Sequence, residues 1–149
     1  HWSALAFGSM EQNQQLGIDL RQTIGLVPSR ELIQTNRMTL FVVASLAYAN
    51  EAYTDYASAT NTIQLPLCVD FEFFLFDSPK TDIGTDLTVT PILNDFGRWR
   101  IDFNASVSYE LISDFTIGFS FFDNFDSRPP SETASTNDYG LTFNIGYTF

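Results

Sequence analysis

The chain has 149 residues, seven Lys or Arg against 18 Asp or Glu, and a formal net charge of −11. That balance excludes nucleic-acid binding through a basic footprint. The single Cys68 excludes an intrachain disulfide framework, and one His with one Cys cannot supply a zinc site. Aromatics make up 15% of the chain and charged residues only 17%, where a soluble domain usually carries about 25% charged residues. Mean hydropathy is nonetheless near zero, at −0.02. A chain that is aromatic-rich, charge-poor and not hydrophobic on average is what alternating lipid-facing and inward-facing positions produce. A soluble β-sandwich or small barrel with a Phe-rich core is the competing reading of composition alone.

Residues 2–9 read as a short, weak strand. Residues 15–26 alternate, with Leu16, Ile18, Leu20, Ile24 and Leu26 against Gly17, Asp19, Arg21, Thr23 and Gly25, the period of two that marks a half-buried strand. Pro28 and the polar stretch to Asn36 are read as ending it. Residues 37–50 form a third run with Met38, Leu40, Val42, Ala44, Leu46 and Tyr48 on one face; Phe41 and Val43 make the other face partly apolar. Residues 51–61 are polar and are expected to form a loop. Residues 62–76 return to alternation around Pro66, which removes one ladder donor and predicts a bulge or an unpaired position. Gln64, Cys68, Asp70 and Glu72 share one face of that run.

A tight turn at 77–80 leads to residues 82–93, with Asp82, Asp86, Thr88 and Thr90 inward. A second turn, 94–97, precedes the most regular run, residues 98–111. There Trp99, Ile101, Phe103, Ala105, Val107, Tyr109 and Leu111 alternate with Arg98, Arg100, Asp102, Asn104, Ser106, Ser108 and Glu110. The run is about twice the usual strand of roughly 5–6 residues and fits the roughly 9–11 residues of a tilted membrane strand. Trp99 and Tyr109, with Tyr139 on the last strand, fit the interfacial aromatic girdles of an outer-membrane barrel. Residues 115–125 follow a very short connection, then comes a long polar loop at 126–137. The last run, 138–149, carries Tyr139, Leu141, Phe143, Ile145, Tyr147 and Phe149 in register.

The fold class is therefore all-β: an antiparallel up-and-down transmembrane β-barrel with about eight strands in this chain. If Phe149 ends in the periplasm, the long segments 51–61 and 126–137 are extracellular and the tight turns periplasmic, the usual asymmetry; segment 28–36 is the exception. A C-terminal strand ending in Tyr147-Thr148-Phe149 looks like the signal read by the barrel-assembly machinery. The expected surroundings are the bacterial outer membrane and its lipid.

From Tyr53 to Phe149 the chain resembles the YdiY-like salt-induced outer-membrane protein family, a domain of unknown function. The resemblance rests on Glu51-Ala52-Tyr53, on residues 98–111, and on Phe125-Asp126-Ser127-Arg128-Pro129-Pro130 followed by Asp138-Tyr139-Gly140-Leu141. It implies a location and a fold, with no activity to carry over. The N-terminal strands usual in that family are not evident, so residues 1–149 are read as a barrel domain lacking them, with 8–12 strands in the full protein.

Catalytic chemistry finds little footing. The only His is His1, so neither a Ser-His-acid nor a Cys-His arrangement has a base within the barrel. No cofactor and no metal site is expected; the acidic rim at Glu51, Asp55, Asp123, Asp126, Glu132 and Asp138 lacks EF-hand spacing. The inward charges Asp19, Arg21, Asp70, Glu72, Asp86, Arg98, Arg100, Asp102 and Glu110 are expected to pair as a network in a polar lumen. The leading reading is a structural or anchoring envelope component, not an enzyme, with envelope proteins or further copies of the chain as partners. The alternative is a narrow cation-preferring pore, because inward Asp and Glu outnumber inward Arg. A soluble lipocalin-like carrier is the non-membrane alternative; it would have to bury the Phe-lined faces inward.

Overall fold

A computed structural model describes residues 2–15, 18–53, 59–77, 79–112, 114–129 and 135–147, with the backbone alone for Trp2, Arg30 and Glu31. Within them lie ten strands and no helix: β1 (Trp2–Asn13), β2 (Ile18–Gln34), β3 (Met38–Ala44), β4 (Leu46–Tyr53), β5 (Thr60–Gln64), β6 (Leu67–Leu75), β7 (Thr81–Pro91), β8 (Trp99–Ile112), β9 (Phe115–Asp126) and β10 (Asn137–Tyr147). All ladders are antiparallel. Strands β3 and β4 both lie along β2 and are one run interrupted at Ser45; β5 and β6 are one run interrupted at Leu65 and Pro66. The ten segments thus make eight consecutive runs in an up-and-down sheet.

Proline chemistry explains the interruptions. Pro66 has no N–H to donate, so the ladder is patched by Ser45 N–H donating to the Pro66 carbonyl at 2.8 Å and Leu65 N–H to the Pro91 carbonyl at 3.1 Å. Pro28 does not end its strand. It pairs with Ala4 on the β1 side, while on the other side the ladder to β4 ends at Leu26 and that to β3 begins at Ser29. The missing donor falls in a gap the sheet already has. The connection read as 28–36 shrinks to residues 35–37, and the long exception among the turns disappears. Connections at that end are now all short (35–37, 76–80, 113–114), while the opposite end carries the short 14–17 and the longer 54–59, 92–98 and 127–136. We call these the turn end and the loop end.

The sheet is rolled. Asn13 of β1 donates to Asp138 of β10 at 3.0 Å, although a flat sheet would hold its first and last runs roughly 34 Å apart at about 4.8 Å per strand. No ladder joins β1 to β10 among the described residues, so the sheet is rolled but not closed.

Its two faces are inverted relative to a soluble core. The convex face exposes Leu26, Leu46, Leu67, Val107, Leu141 and Phe143, the last two at 63% and 60%. The concave face buries Glu51 at 0%, Asp126 at 2%, Arg100 at 5% and Arg98 at 6%. The one cluster of buried apolar side chains among the described residues is Ile18 with Tyr53. Alternation is responsible, because most runs put their apolar set outward and their polar set inward, with Leu5, Ile18, Phe41, Val43 and Phe122 as inward apolar exceptions. Trp99, Tyr109 and Tyr139 all face outward and are exposed. From Trp99 to Tyr109 the strand rises about 33 Å, or roughly 25 Å along the axis at a tilt near 40°.

Candidate functional site

The most constrained part of the molecule is a set of charges that spans the concave face at the loop end. Glu51, near the end of β4, is its hub. It accepts from Arg100 Nη2 at 2.6 Å, from Arg21 Nε at 3.1 Å, from Gln64 Nε2 at 3.3 Å and from Thr62 Oγ1 at 3.4 Å, and it takes the Tyr53 hydroxyl proton donor as well. Asp126, the last residue of β9, is the second hub. It accepts from Arg98 through Nη2 at 2.6 Å and Nε at 3.1 Å, a bidentate fork, and from Arg100 Nε at 3.1 Å. Arg98 also donates to Tyr53 Oη at 3.1 Å, and Arg21 reaches Glu11 of β1 at 2.7 Å.

Three arginines face three carboxylates, Glu11, Glu51 and Asp126, so the network is charge-neutral. Neutrality matters because an isolated buried charge costs several kcal/mol, roughly, even after relaxation. Burial disfavours the charged Arg98 guanidinium, yet its bonds to Asp126 and Tyr53 outweigh that and hold it above the usual arginine range. Arg21 Nη2 is buried without a hydrogen-bond partner among the described residues.

Several expected members of this network are elsewhere. Asp19 is not on the concave face. Ile18 pairs with Tyr53 and Leu20 with Ala52, so Asp19 is the extra residue of a β-bulge, and it is exposed. The bulge shifts the phase by one and turns Ile18 inward in its place. Asp70, Glu72 and Asp86 do face inward, but towards the turn end, with none of the three arginines as a partner. Asn104 donates to Asp86 at 2.8 Å and Thr39 to Glu72 at 3.2 Å. With Ser106, Thr142, Phe121 and Phe122 these carboxylates line an open cavity. Asp102 is half-buried on the same face, in electrostatic range of Arg21 and Arg100 and of Glu11 and Asp126, with no direct ion pair among the described residues. Glu110 serves the turn: it accepts from Lys80 N–H at 3.2 Å and lies 3.7 Å from Lys80 Nζ. Of the expected network, Arg21, Arg98 and Arg100 converge and Asp102 lies in electrostatic range of Arg21 and Arg100, whereas Asp19, Asp70, Glu72, Asp86 and Glu110 lie apart from them. Tyr147 ends β10, while Phe149 lies outside the described residues.

The true counterions, Glu51 and Asp126, were expected in loops. Both strands extend further than their apolar alternation. Parity would have found them, since Glu51 continues the inward odd series of Ala47 and Ala49, and Asp126 the even series through Ser120 and Asn124.

Chemically, the arrangement offers fixed charges with every carboxylate engaged by a guanidinium. What it does is fill the interior: side chains from β2, β4, β5, β8 and β9 meet across it.

The model of a protein family of unknown function, DUF481, matches residues 1–149. The chain belongs to the DUF481 family. The match includes the N-terminal third that the resemblance to outer-membrane proteins left out. No curated protein and no solved structure matches the chain. For this DUF481 chain the family supplies no activity, and the argument for function rests on geometry.

Proposed function

We propose that this chain is an outer-membrane β-barrel whose interior is blocked at the loop end, acting as a structural or anchoring component of the bacterial envelope. The observation that carries the reading is the inversion of burial: charged side chains inside and large apolar side chains outside. Soluble monomers rarely expose apolar patches beyond a few hundred Å², roughly, whereas lipid removes the cost of that surface. The apolar band of roughly 25 Å bounded by Trp99 and Tyr109 fits the hydrocarbon layer such barrels span. The short turns then lie in the periplasm and the longer connections outside. The resemblance to the YdiY-like salt-induced outer-membrane proteins points the same way. Assembly would use the barrel-assembly machinery, and envelope proteins or further copies of the chain would dock at the loop end.

One observation favours a second reading, a narrow cation-preferring pore. Asp70, Glu72 and Asp86 sit in the open half of the interior without arginine partners among the described residues. Planar-bilayer conductance separates the two. Stable insertion without discrete steps supports the blocked barrel, and wild-type steps with cation preference replace it by the pore. Protein that stays soluble without detergent and fails to insert refutes both.

A further inference from the structure

Among the described residues no ladder uses the outer edge of β1 or of β10, and in lipid such edges would leave a row of backbone donors and acceptors without partners. We propose that these two edges pair with each other in one defined register, with Asn13 opposite Asp138, and so seal the molecule as an eight-run barrel. The proposal rests on the membrane reading above and deepens it by naming the partner of each open edge: the other end of the same chain.

Three observations support the register, the first and third sharing the Asn13–Asp138 contact. The first is contact. Asn13 Nδ2 already reaches Asp138 Oδ2 at 3.0 Å, and Ser135 N–H reaches the Gln15 carbonyl at 3.3 Å. The seam is begun at the loop end and needs only to zip towards the turn end.

The second is parity and fit. Paired residues must point to the same face. Asn13 opposite Asp138 pairs the inward Ser9 with Thr142 and Leu5 with Gly146. On the outer face it pairs Gly8 with Phe143, Ala6 with Ile145 and Ala4 with Tyr147. Small residues on β1 thus meet large ones on β10. Sliding β10 by two residues one way sets Glu11 opposite Asp138, two like charges across one ladder, which is destabilising.

The third is geometry. Following paired residues around the sheet leads from Ser3 to Ser29, Val43, Cys68, Thr88, Asp102, Asn124 and Asp138. The Asp138 contact then returns the path to β1 at Asn13, ten residues beyond its start. Strand number, stagger and tilt are linked in a closed barrel. Ten residues at about 3.3 Å, over eight strands at about 4.8 Å, give a tilt of roughly 41°. That lies within the roughly 35–45° of transmembrane barrels. The tilt was not an input; it follows from the ladders and one side-chain contact.

The test uses paired cysteines in a Cys68→Ser background, refolded into phosphatidylethanolamine–phosphatidylglycerol vesicles. In-register pairs are Ser9→Cys with Thr142→Cys on the inner face and Ala6→Cys with Ile145→Cys on the outer face. Both faces are sampled because the two differ in pair spacing. Off-register controls join Ser9→Cys to Gly140→Cys or to Asn144→Cys. Insertion is scored separately by protease protection. The expected result is rapid intrachain disulfide formation by an in-register pair in inserted protein, well ahead of both controls. Inserted protein that cross-links off register, between chains or not at all overturns the seam and leaves the membrane reading standing. In-register cross-linking in protein that remains outside the vesicles keeps the seam and overturns the membrane reading.

Discussion

Glu51→Gln keeps the volume of the hub and removes its charge. In the wild type the three arginines are balanced by Glu11, Glu51 and Asp126. The variant leaves one excess positive charge among arginine side chains no more than 10% exposed. Arg98 and Arg100 retain Asp126, and Arg21 retains only Glu11, whose side chain is 44% exposed. Breaking a buried ion pair from one side costs about 3–5 kcal/mol; the residual partners put the expected loss at the lower end, about 3 kcal/mol. Urea unfolding of vesicle-inserted protein, followed by Trp99 fluorescence, measures it. Glu51→Gln combined with Arg100→Gln restores neutrality, so the pair should couple favourably by about 1–3 kcal/mol in a double-mutant cycle. A loss for Glu51→Gln below about 1 kcal/mol, with additive behaviour of the pair, would refute the network as the organiser of the interior.

Two further outcomes follow from the same geometry. Asp102→Asn should change stability by less than about 1 kcal/mol in that assay, because Asp102 makes no direct ion pair among the described residues and its attraction to Arg21 and Arg100 is offset by repulsion from Glu11 and Asp126; a larger loss would put it among the structural charges. Gly140→Val should cost about 1–3 kcal/mol, since the Phe122 ring of the neighbouring strand lies over the position a β-carbon would take; the same substitution combined with Phe122→Ala should recover much of the loss.

Much of the fold was legible because alternation is a local property. Residues 98–111 alternate without fault, and β8 runs from Trp99 to Ile112. All eight runs were visible, and Pro66 correctly announced an interruption. The misreadings have local physical causes. Pro28 suggests a chain break only if its missing donor is needed, and in β2 it faces a gap between β3 and β4. Asp19 follows the alternation of its neighbours, but a single extra residue in β2 turns it off the concave face. The site was harder to read than the fold. Arg100 and Glu51 are three runs apart, and only the rolling of the sheet brings them to 2.6 Å. Sequence spacing carries no information about which inward charges meet across an interior, so Asp70 and Asp86 entered the expected network while Glu51 and Asp126 were read as loop residues.

The central claim, that the convex face is solvated by lipid, is tested most directly by an arginine scan along β8 at Ile101, Ala105 and Tyr109, with unfolding free energies measured in vesicles. Lipid contact predicts a peak of about 2–4 kcal/mol at Ala105, near the middle of the band, falling to about 0–1 kcal/mol at Tyr109. A flat profile, with every substitution within about 0.5 kcal/mol as on a water-exposed surface, would contradict it.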